Sequence, residues 1–213
     1  MSTFHARTRE LLARAGLEAR ELEALDHPAR HAVPARPGGF GLVGTNGTGK
    51  TWALTHYVAG LVEAAVRSQP DPWRASLCWI DGLIARDRRL LWVNWHDQAE
   101  RIHERRFEPV WLNQWAEWAE DVPLLVLDDL GRERTSGEKD PARPLLARVL
   151  DARHRRKFPV LWTSNLVTPE ALEAFYDPAL KSRILGSWPA SYVGGQDMRL
   201  SPLDLKAAAG GEA

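Results

Sequence analysis

The sequence predicts an α/β domain, in which a parallel sheet of about five strands carries helices on both faces. Four runs, at residues 40–43, 90–95, 122–129 and 159–162, are short and mainly apolar, as expected of strands that are buried on both faces. The first run is followed by apolar residues at helical spacing between Leu54 and Ala65. Buried strands that alternate with amphipathic helices in this way are typical of a parallel sheet.

Length and composition limit the class of protein. The chain has 213 residues, enough for one domain with a full hydrophobic core. Its 28 basic and 28 acidic residues balance, so any affinity for nucleic acid must come from a local basic patch or an assembled oligomer. Cys78 is the single cysteine, which excludes an internal disulfide. Without a signal-peptide pattern or a long apolar run, we expect a cytoplasmic protein that does not associate with membranes.

The segment that follows the first predicted strand has the spacing of a phosphate-binding P-loop. Glycines at 44, 47 and 49 allow the backbone to turn its N–H groups towards anionic oxygens at the start of a helix. Lys50 is then expected to reach the β and γ phosphates, and the Thr51 hydroxyl to bind Mg²⁺. The predicted nucleotide-binding residues of this loop are Gly44, Thr45, Asn46, Gly47, Thr48, Gly49, Lys50 and Thr51.

Polar residues follow two later strands at positions that face the same edge of the predicted sheet. Asp128 and Asp129 end the apolar run 122–129, where a P-loop protein carries its Walker B acids. We expect Asp128 to help hold Mg²⁺ and Asp129 to orient and deprotonate the attacking water. The apolar strand 159–162 ends in Thr163-Ser164-Asn165, and Asn165 is expected to contact the γ-phosphate or that water.

The N-terminal residues predict a short helical extension. Apolar residues between Thr3 and Leu25 lie on one side of a helix or helix pair that Gly16 interrupts. This segment either folds back on the body of the protein or docks a partner. Prolines and glycines between His27 and Gly39 mark a linker. We therefore predict an extension at 1–36, a nucleotide-binding domain at 37–204 and a disordered tail at 205–213.

The segment 73–118 is rich in tryptophan. Residues 73–89 have no clear period, whereas Trp111, Trp115 and Trp118 share one face of a predicted helix. Such a stripe either packs into the core or stacks on the bases of single-stranded DNA. The neighbouring acids Glu117 and Glu120 favour core packing.

Five motifs, taken in order, resemble the AAA+ ATPases of the bacterial helicase-loader and transposition-helper group, which includes DnaC, DnaI and IstB. The matching residues are Gly44–Thr51, Leu127–Gly131, Thr163–Asn165, Leu180–Ile184 and Gly195–Arg199. By this resemblance Arg183 is the arginine finger that completes the ATP site of a neighbouring subunit, and Arg199 is a terminal sensor arginine that contacts nucleotide. Two features depart from the group: Asp129 stands where many AAA+ proteins have glutamate, and the extension lacks the cysteines of zinc-bearing loaders.

The resemblance implies an ATPase, with ATP and Mg²⁺ as cofactors, that self-associates on binding ATP. Its expected function is to load or deliver a replicative helicase onto DNA, with single-stranded DNA as a further partner. The first alternative is an IstB-like helper that delivers a transposase. A small-molecule P-loop kinase is a second alternative, although Arg183 on a late helix fits it poorly. A nucleotide-gated binding module that scarcely hydrolyses ATP is the third.

Overall fold

The computed structural model describes residues 3–27, 33, 38–67, 90–133 and 140–195. In these residues strands and helices alternate from the first strand onwards. The strands are β1 (Gly39–Val43), β2 (Leu90–Asn94), β3 (Leu124–Leu130), β4 (Val160–Ser164) and β5 (Ala190–Tyr192). The helices are α1 (Thr3–Arg14), α2 (Ala19–Glu23), α3 (Lys50–Arg67), α4 (Trp95–Glu104), α5 (Pro109–Asp121), α6 (Ala142–Arg156), α7 (Pro169–Phe175) and α8 (Pro178–Ser187).

The five strands form one parallel sheet in the order β2-β3-β4-β1-β5, which confirms the predicted fold class. Val43 of β1 pairs with Ser164 of β4, and Asn94 of β2 pairs with Asp128 of β3. Because all strands run in the same direction, their carboxyl ends meet at one edge. The polar residues that follow these strands are therefore gathered along that edge.

Both faces of the sheet are covered, which explains the continuous apolar strands. Leu125 and Leu127 of β3 point into a core formed with helices α4 to α8, whereas Val126 points into a second core formed with α1 and α3. Alternation along a strand sends successive side chains to opposite faces. An apolar residue is therefore needed at every position of a strand that is buried on both sides.

The N-terminal helices pack on the second core. Leu11 and Leu12 of α1 are buried there. The Ala15 carbonyl accepts a hydrogen bond of 2.9 Å from the Trp92 amide at the outer edge of β2. Gly16 has φ +111°, and a Cβ there would lie 2.5 Å from the Trp92 carbonyl oxygen. The turn between α1 and α2 is thus fixed against β2, while the division of the chain into domains stays a prediction.

Several element boundaries differ from the sequence prediction. Trp95 begins α4 instead of ending β2, because the Asn94 side chain accepts a hydrogen bond from the Asp97 amide and caps the helix. Thr168 caps α7 by accepting a hydrogen bond from the Ala171 amide, and Pro169 is the first helical residue. Trp115 is buried, and Trp111 and Trp118 pack partly on the same core.

Some sequence predictions fall outside the described residues: 73–89, Arg199 and the tail 205–213. Within the described part of the chain, none of the helices is long and apolar enough to cross a membrane.

Candidate nucleotide site

The P-loop connects β1 to α3 and presents a helix N-terminus at the sheet edge. Gly47 and Gly49 have φ of 74° and 84°, which residues with a Cβ rarely adopt. The Thr48 hydroxyl donates a hydrogen bond of 3.0 Å to the Thr45 carbonyl and holds the loop together. α3 begins at Lys50, so its free N–H groups and its dipole favour an anion at this point.

Lys50 links the P-loop to the end of β4. Its ammonium group donates hydrogen bonds of 2.8 Å to the carbonyls of Gly44 and Thr45 and to Oδ1 of Asn165. The residue is only 6% exposed. A buried ammonium group needs oxygen partners, which here are the neutral carbonyl and amide oxygens. Bound phosphate would offer negatively charged oxygens in their place, and hydrogen bonds to these are stronger. The geometry therefore brings Lys50 and Asn165 together, as the sequence predicted for a phosphate site.

Asp128 and Thr51 meet on the other side of the loop. The Thr51 hydroxyl lies 3.0 Å from both carboxyl oxygens of Asp128, and the Thr163 hydroxyl donates to Oδ1 at 2.5 Å. Thr163 also accepts a hydrogen bond of 2.9 Å from the amide of Asp129. Sequence reasoning stopped at Asn165 and missed Thr163, although a polar residue inside the apolar strand β4 was a signal.

The backbone of Asp129 is unusual. Its φ of 60° is rare for a residue with a Cβ, and the β3–β4 register shifts between Leu127 and Leu130. Its carboxylate forms an ion pair of 3.1 Å with Arg132. Such strain persists where the surroundings impose it, and it is concentrated at functional sites. This irregularity directs Asp129 away from Asp128, so the two adjacent carboxylates have different partners: Asp128 contacts Thr51 and Asp129 contacts Arg132.

Burial raises the pKa of Asp128 to about 7. The carboxyl group is 2% exposed, and the charge of Asp129 adds to the effect, against the opposing hydrogen bonds from Thr163 and Thr51. Charged oxygen ligands suit Mg²⁺, which commonly binds through one or two protein groups plus phosphates and water. Thr51 and Asp128 fit that role. The described residues contain no cluster of three or more His, Cys, Asp or Glu that would hold a metal without phosphate.

We predict that Asp128→Asn stabilises the protein in the absence of Mg²⁺. Because the folded pKa is raised, the unfolded chain releases its proton first as pH rises from 3.8 to about 7, so the free energy of unfolding falls over that range. The asparagine variant does not lose a proton. The stability advantage of the variant should grow by about 2 to 3 kcal/mol between pH 5 and pH 8, measured by urea unfolding. If the free energies of unfolding of variant and wild type differ by the same amount at pH 5 and pH 8, the prediction is wrong.

A cavity of about 330 Å³ lies over these residues. The P-loop residues Gly47, Gly49, Lys50 and Thr51 line it, together with Asp128, Asp129 and Asn165. Its other wall comes from α2, through Arg20, Glu21 and Glu23. The described residues give Arg20 no ion-pair partner, so its guanidinium group is free to face an anion in this cavity. No local pattern in the sequence indicates that this helix reaches the P-loop.

Arg183 does not line this cavity. It lies on α8, 38% exposed, and forms an ion pair with Asp151 of α6. Within one subunit the structure thus brings together Lys50, Thr51, Asp128, Asp129 and Asn165 but leaves Arg183 apart. An arginine finger acts on a neighbouring subunit, so this separation is compatible with the sequence prediction without testing it.

The sheet order, the P-loop and the acids at the end of β3 define an α/β P-loop nucleotide-binding fold. Solved structures with the same fold include the DnaC helicase loader (TM-score 0.52, 20% identity, 82% of this chain and 89% of that chain). DnaI matches with TM-score 0.54 and 19% identity, over 82% of this chain and 84% of that chain. AMPPCP-bound DnaA from Aquifex aeolicus matches with TM-score 0.51 and 18% identity, over 90% of this chain but 50% of that chain.

No protein-family model and no curated protein matches the chain. The structural neighbours show the fold alone, which is the AAA+ fold that the DnaC and DnaI structures share.

Proposed function

We propose that this protein is an AAA+ ATPase that loads or delivers a replicative helicase onto DNA. The observation that carries the proposal is the meeting of Lys50, Thr51, Asp128 and Asn165 around one cavity. These side chains come from the start of α3, the strand β3 and the residue after β4, and provide the cation, hydroxyl, carboxylate and amide that a Mg²⁺-bound triphosphate needs. Among the described residues that line this cavity Arg20 is a single arginine, whereas a small-molecule kinase clamps its acceptor phosphate with several, which disfavours a kinase.

The residues would divide the chemistry among them. Lys50 and the P-loop amides bind the β and γ phosphates, and Asn165 orients the γ-phosphate or its attacking water. Asp129 accepts a proton from that water, once its carboxylate leaves Arg132. Thr51 and Asp128 hold Mg²⁺, which when bound would neutralise charge that develops on the phosphates. Arg199 is proposed as a further nucleotide contact, from the sequence resemblance alone.

The choice of helicase loading rests on two neighbours. DnaC, described as a helicase loader, and DnaI each match over more than four fifths of their own length. The DnaA match covers half of that chain, so it supports the nucleotide domain alone. One of the DnaA structures is bound to AMPPCP and single-stranded DNA, which supports ATP and single-stranded DNA as ligands here. Self-association on binding ATP and action in the cytoplasm complete the proposal.

A replicative helicase hexamer provides the partner test. We expect the protein to form a complex with it in size-exclusion chromatography in the presence of ATP and Mg²⁺, and to increase helicase transfer to single-stranded DNA. The Lys50→Ala variant should do neither. Complex formation with a transposase but not with the helicase would overturn helicase loading in favour of the IstB-like alternative.

We predict that Asp129→Asn slows ATP hydrolysis by at least about 100-fold, because an amide cannot accept the proton of the attacking water. Binding of Mg²⁺-ATP should change little, since Asp128 and the P-loop remain. Phosphate release measures the rate and calorimetry measures the affinity. Glu173→Gln, which changes a half-buried carboxylate paired with Lys181, is the matched control. Hydrolysis by Asp129→Asn at the wild-type rate would remove the catalytic role.

A further inference from the structure

A second and larger cavity, here called the β2-edge groove, lies on the other side of α2. Its volume is about 860 Å³, and it runs along β2 between the α1–α2 turn and helices α4 and α5. Trp92 of β2 and Trp111, Trp115 and Trp118 of α5 line it. None of the P-loop residues does. The β2-edge groove is therefore a separate surface from the nucleotide cavity.

The β2-edge groove carries more acidic than basic side chains. Five acidic and two basic side chains line it, namely Glu18, Glu21, Asp97, Glu117, Asp121, Arg14 and Arg101. Arg14 is already paired with Glu10, and Asp121 with Arg156 outside the groove lining. Among the described residues Asp97 and Glu117 have no ion-pair partner. A groove with surplus carboxylates attracts a cation, in a chain whose overall charge is zero.

Trp111 and Gln98, which both line the groove, indicate what would enter it. The guanidinium group of Arg105 lies 4.8 Å from the ring centre of Trp111, so a cation already sits on one of these indoles. Gln98 is 8% exposed, lines the groove, and its side-chain amide nitrogen has no hydrogen-bond partner in the described part of the chain. A buried donor without a partner is costly, and a carbonyl group of a bound peptide would satisfy it once the side chain turns towards the groove.

We propose that the β2-edge groove binds an arginine-rich or lysine-rich extended segment of a partner protein. Its cationic side chains pair with Asp97 and Glu117 and lie over the tryptophan rings, and its backbone accepts a hydrogen bond from Gln98. Planar guanidinium groups suit both contacts better than ammonium groups, so arginine binds more tightly than lysine. Single-stranded nucleic acid would also stack on indoles, but its phosphates would face the five carboxylates.

The groove and the nucleotide cavity share a wall. Glu21 of α2 and Asn94 at the end of β2 line both. Asn94 also caps α4 by accepting a hydrogen bond of 3.3 Å from the amide of Asp97. A basic segment in the groove reduces the negative potential of Glu21 beside the phosphate site, so ATP binds more tightly. By reciprocity ATP strengthens binding of the segment by the same factor. This link, unlike the docking itself, rests on the proposed ATP site.

The first experiment measures docking without nucleotide. The probe is a short fluorescein-labelled peptide that alternates arginine with alanine, followed by anisotropy, with a glutamate–alanine peptide and unlabelled oligothymidine as comparisons. We expect saturable binding of the arginine peptide, no binding of the glutamate–alanine peptide, and no displacement of the arginine peptide by unlabelled oligothymidine. The double variant Asp97→Asn with Glu117→Gln should weaken binding of the arginine peptide about tenfold, whereas Glu170→Gln, an exposed acid on α7, should not. Equal weakening in both variants, or displacement of the peptide by oligothymidine, would overturn the proposal.

A second variant separates docking from folding. Gln98→Met removes the unpaired amide, so the melting temperature should rise while peptide binding weakens. A variant that is stabilised but binds the peptide as well as wild type would remove Gln98 from the contact. If Gln98→Met is destabilised, the amide of Gln98 has a structural partner in the wild type, and the buried nitrogen is not available to a peptide.

The last arm repeats the titration with saturating Mg²⁺-ATP. Tighter peptide binding is expected, and calorimetry should give the same factor for the effect of the peptide on ATP affinity. Peptide binding that ATP leaves unchanged would overturn the link through α2 and keep the docking site. A protein that binds the peptide but no ATP would instead overturn the proposed function.

Discussion

Replacing Lys50 by alanine is expected to lower the affinity for Mg²⁺-ATP by about 100-fold, or about 2.7 kcal/mol. The ammonium group lies 2.8 Å from three oxygens, two of them P-loop carbonyls and one from Asn165. It stands at the start of α3, beside Gly47 and Gly49, which have positive φ. Charge-assisted hydrogen bonds to phosphate are about twice as strong as neutral ones, and alanine removes them all. Isothermal titration calorimetry with wild type and variant measures the difference.

The same substitution should leave the fold intact. The aliphatic stem of Lys50 contributes little to the hydrophobic clusters, which do not include it. Circular dichroism and thermal unfolding check this point. Lys181→Ala is the matched control, because Lys181 is paired with Glu173 on the surface and does not line the cavity. Equal ATP affinity in Lys50→Ala and wild type, with both folded, would remove the P-loop assignment.

The sequence predicts the sheet and the phosphate end of the site because the signals there are local. Glycine spacing at 44, 47 and 49 requires a particular backbone, and a strand buried on both faces requires an unbroken apolar run. Asp128 and Asn165 follow from the same logic, since parallel strands end at one edge. Each of these inferences needs only a short stretch of neighbouring residues and the rule that parallel strands end at one edge of the sheet.

Other features depend on contacts between distant parts of the chain. Arg20 reaches the nucleotide cavity because the α1–α2 turn is fixed to Trp92, about seventy positions away, through one hydrogen bond and a glycine with positive φ. The positive φ of Asp129 results from a register shift that neither strand encodes alone. The unpaired amide of Gln98 is likewise visible only when β2, α4 and α5 are packed. Composition and spacing carry no information on such contacts.

Arg183→Ala is expected to bind ATP normally and to hydrolyse it about 1000-fold more slowly, because an arginine finger acting in trans stabilises the charge of the transition state. Mixing this variant with Lys50→Ala should restore part of the activity. Mixed pairs contain one site in which an intact Lys50 faces an intact Arg183. Phosphate release from each variant alone and from the mixture measures the rescue.

The ion pair between Arg183 and Asp151 provides the competing explanation, in which Arg183 only holds α8 against α6. Asp151→Asn separates the two. If the arginine is a finger, breaking the pair from the Asp151 side leaves hydrolysis intact, since the guanidinium group remains at the surface of α8. If the pair is structural, Asp151→Asn and Arg183→Ala lower the melting temperature alike, because each breaks the same contact. In that case mixing with Lys50→Ala rescues nothing, and the finger assignment fails.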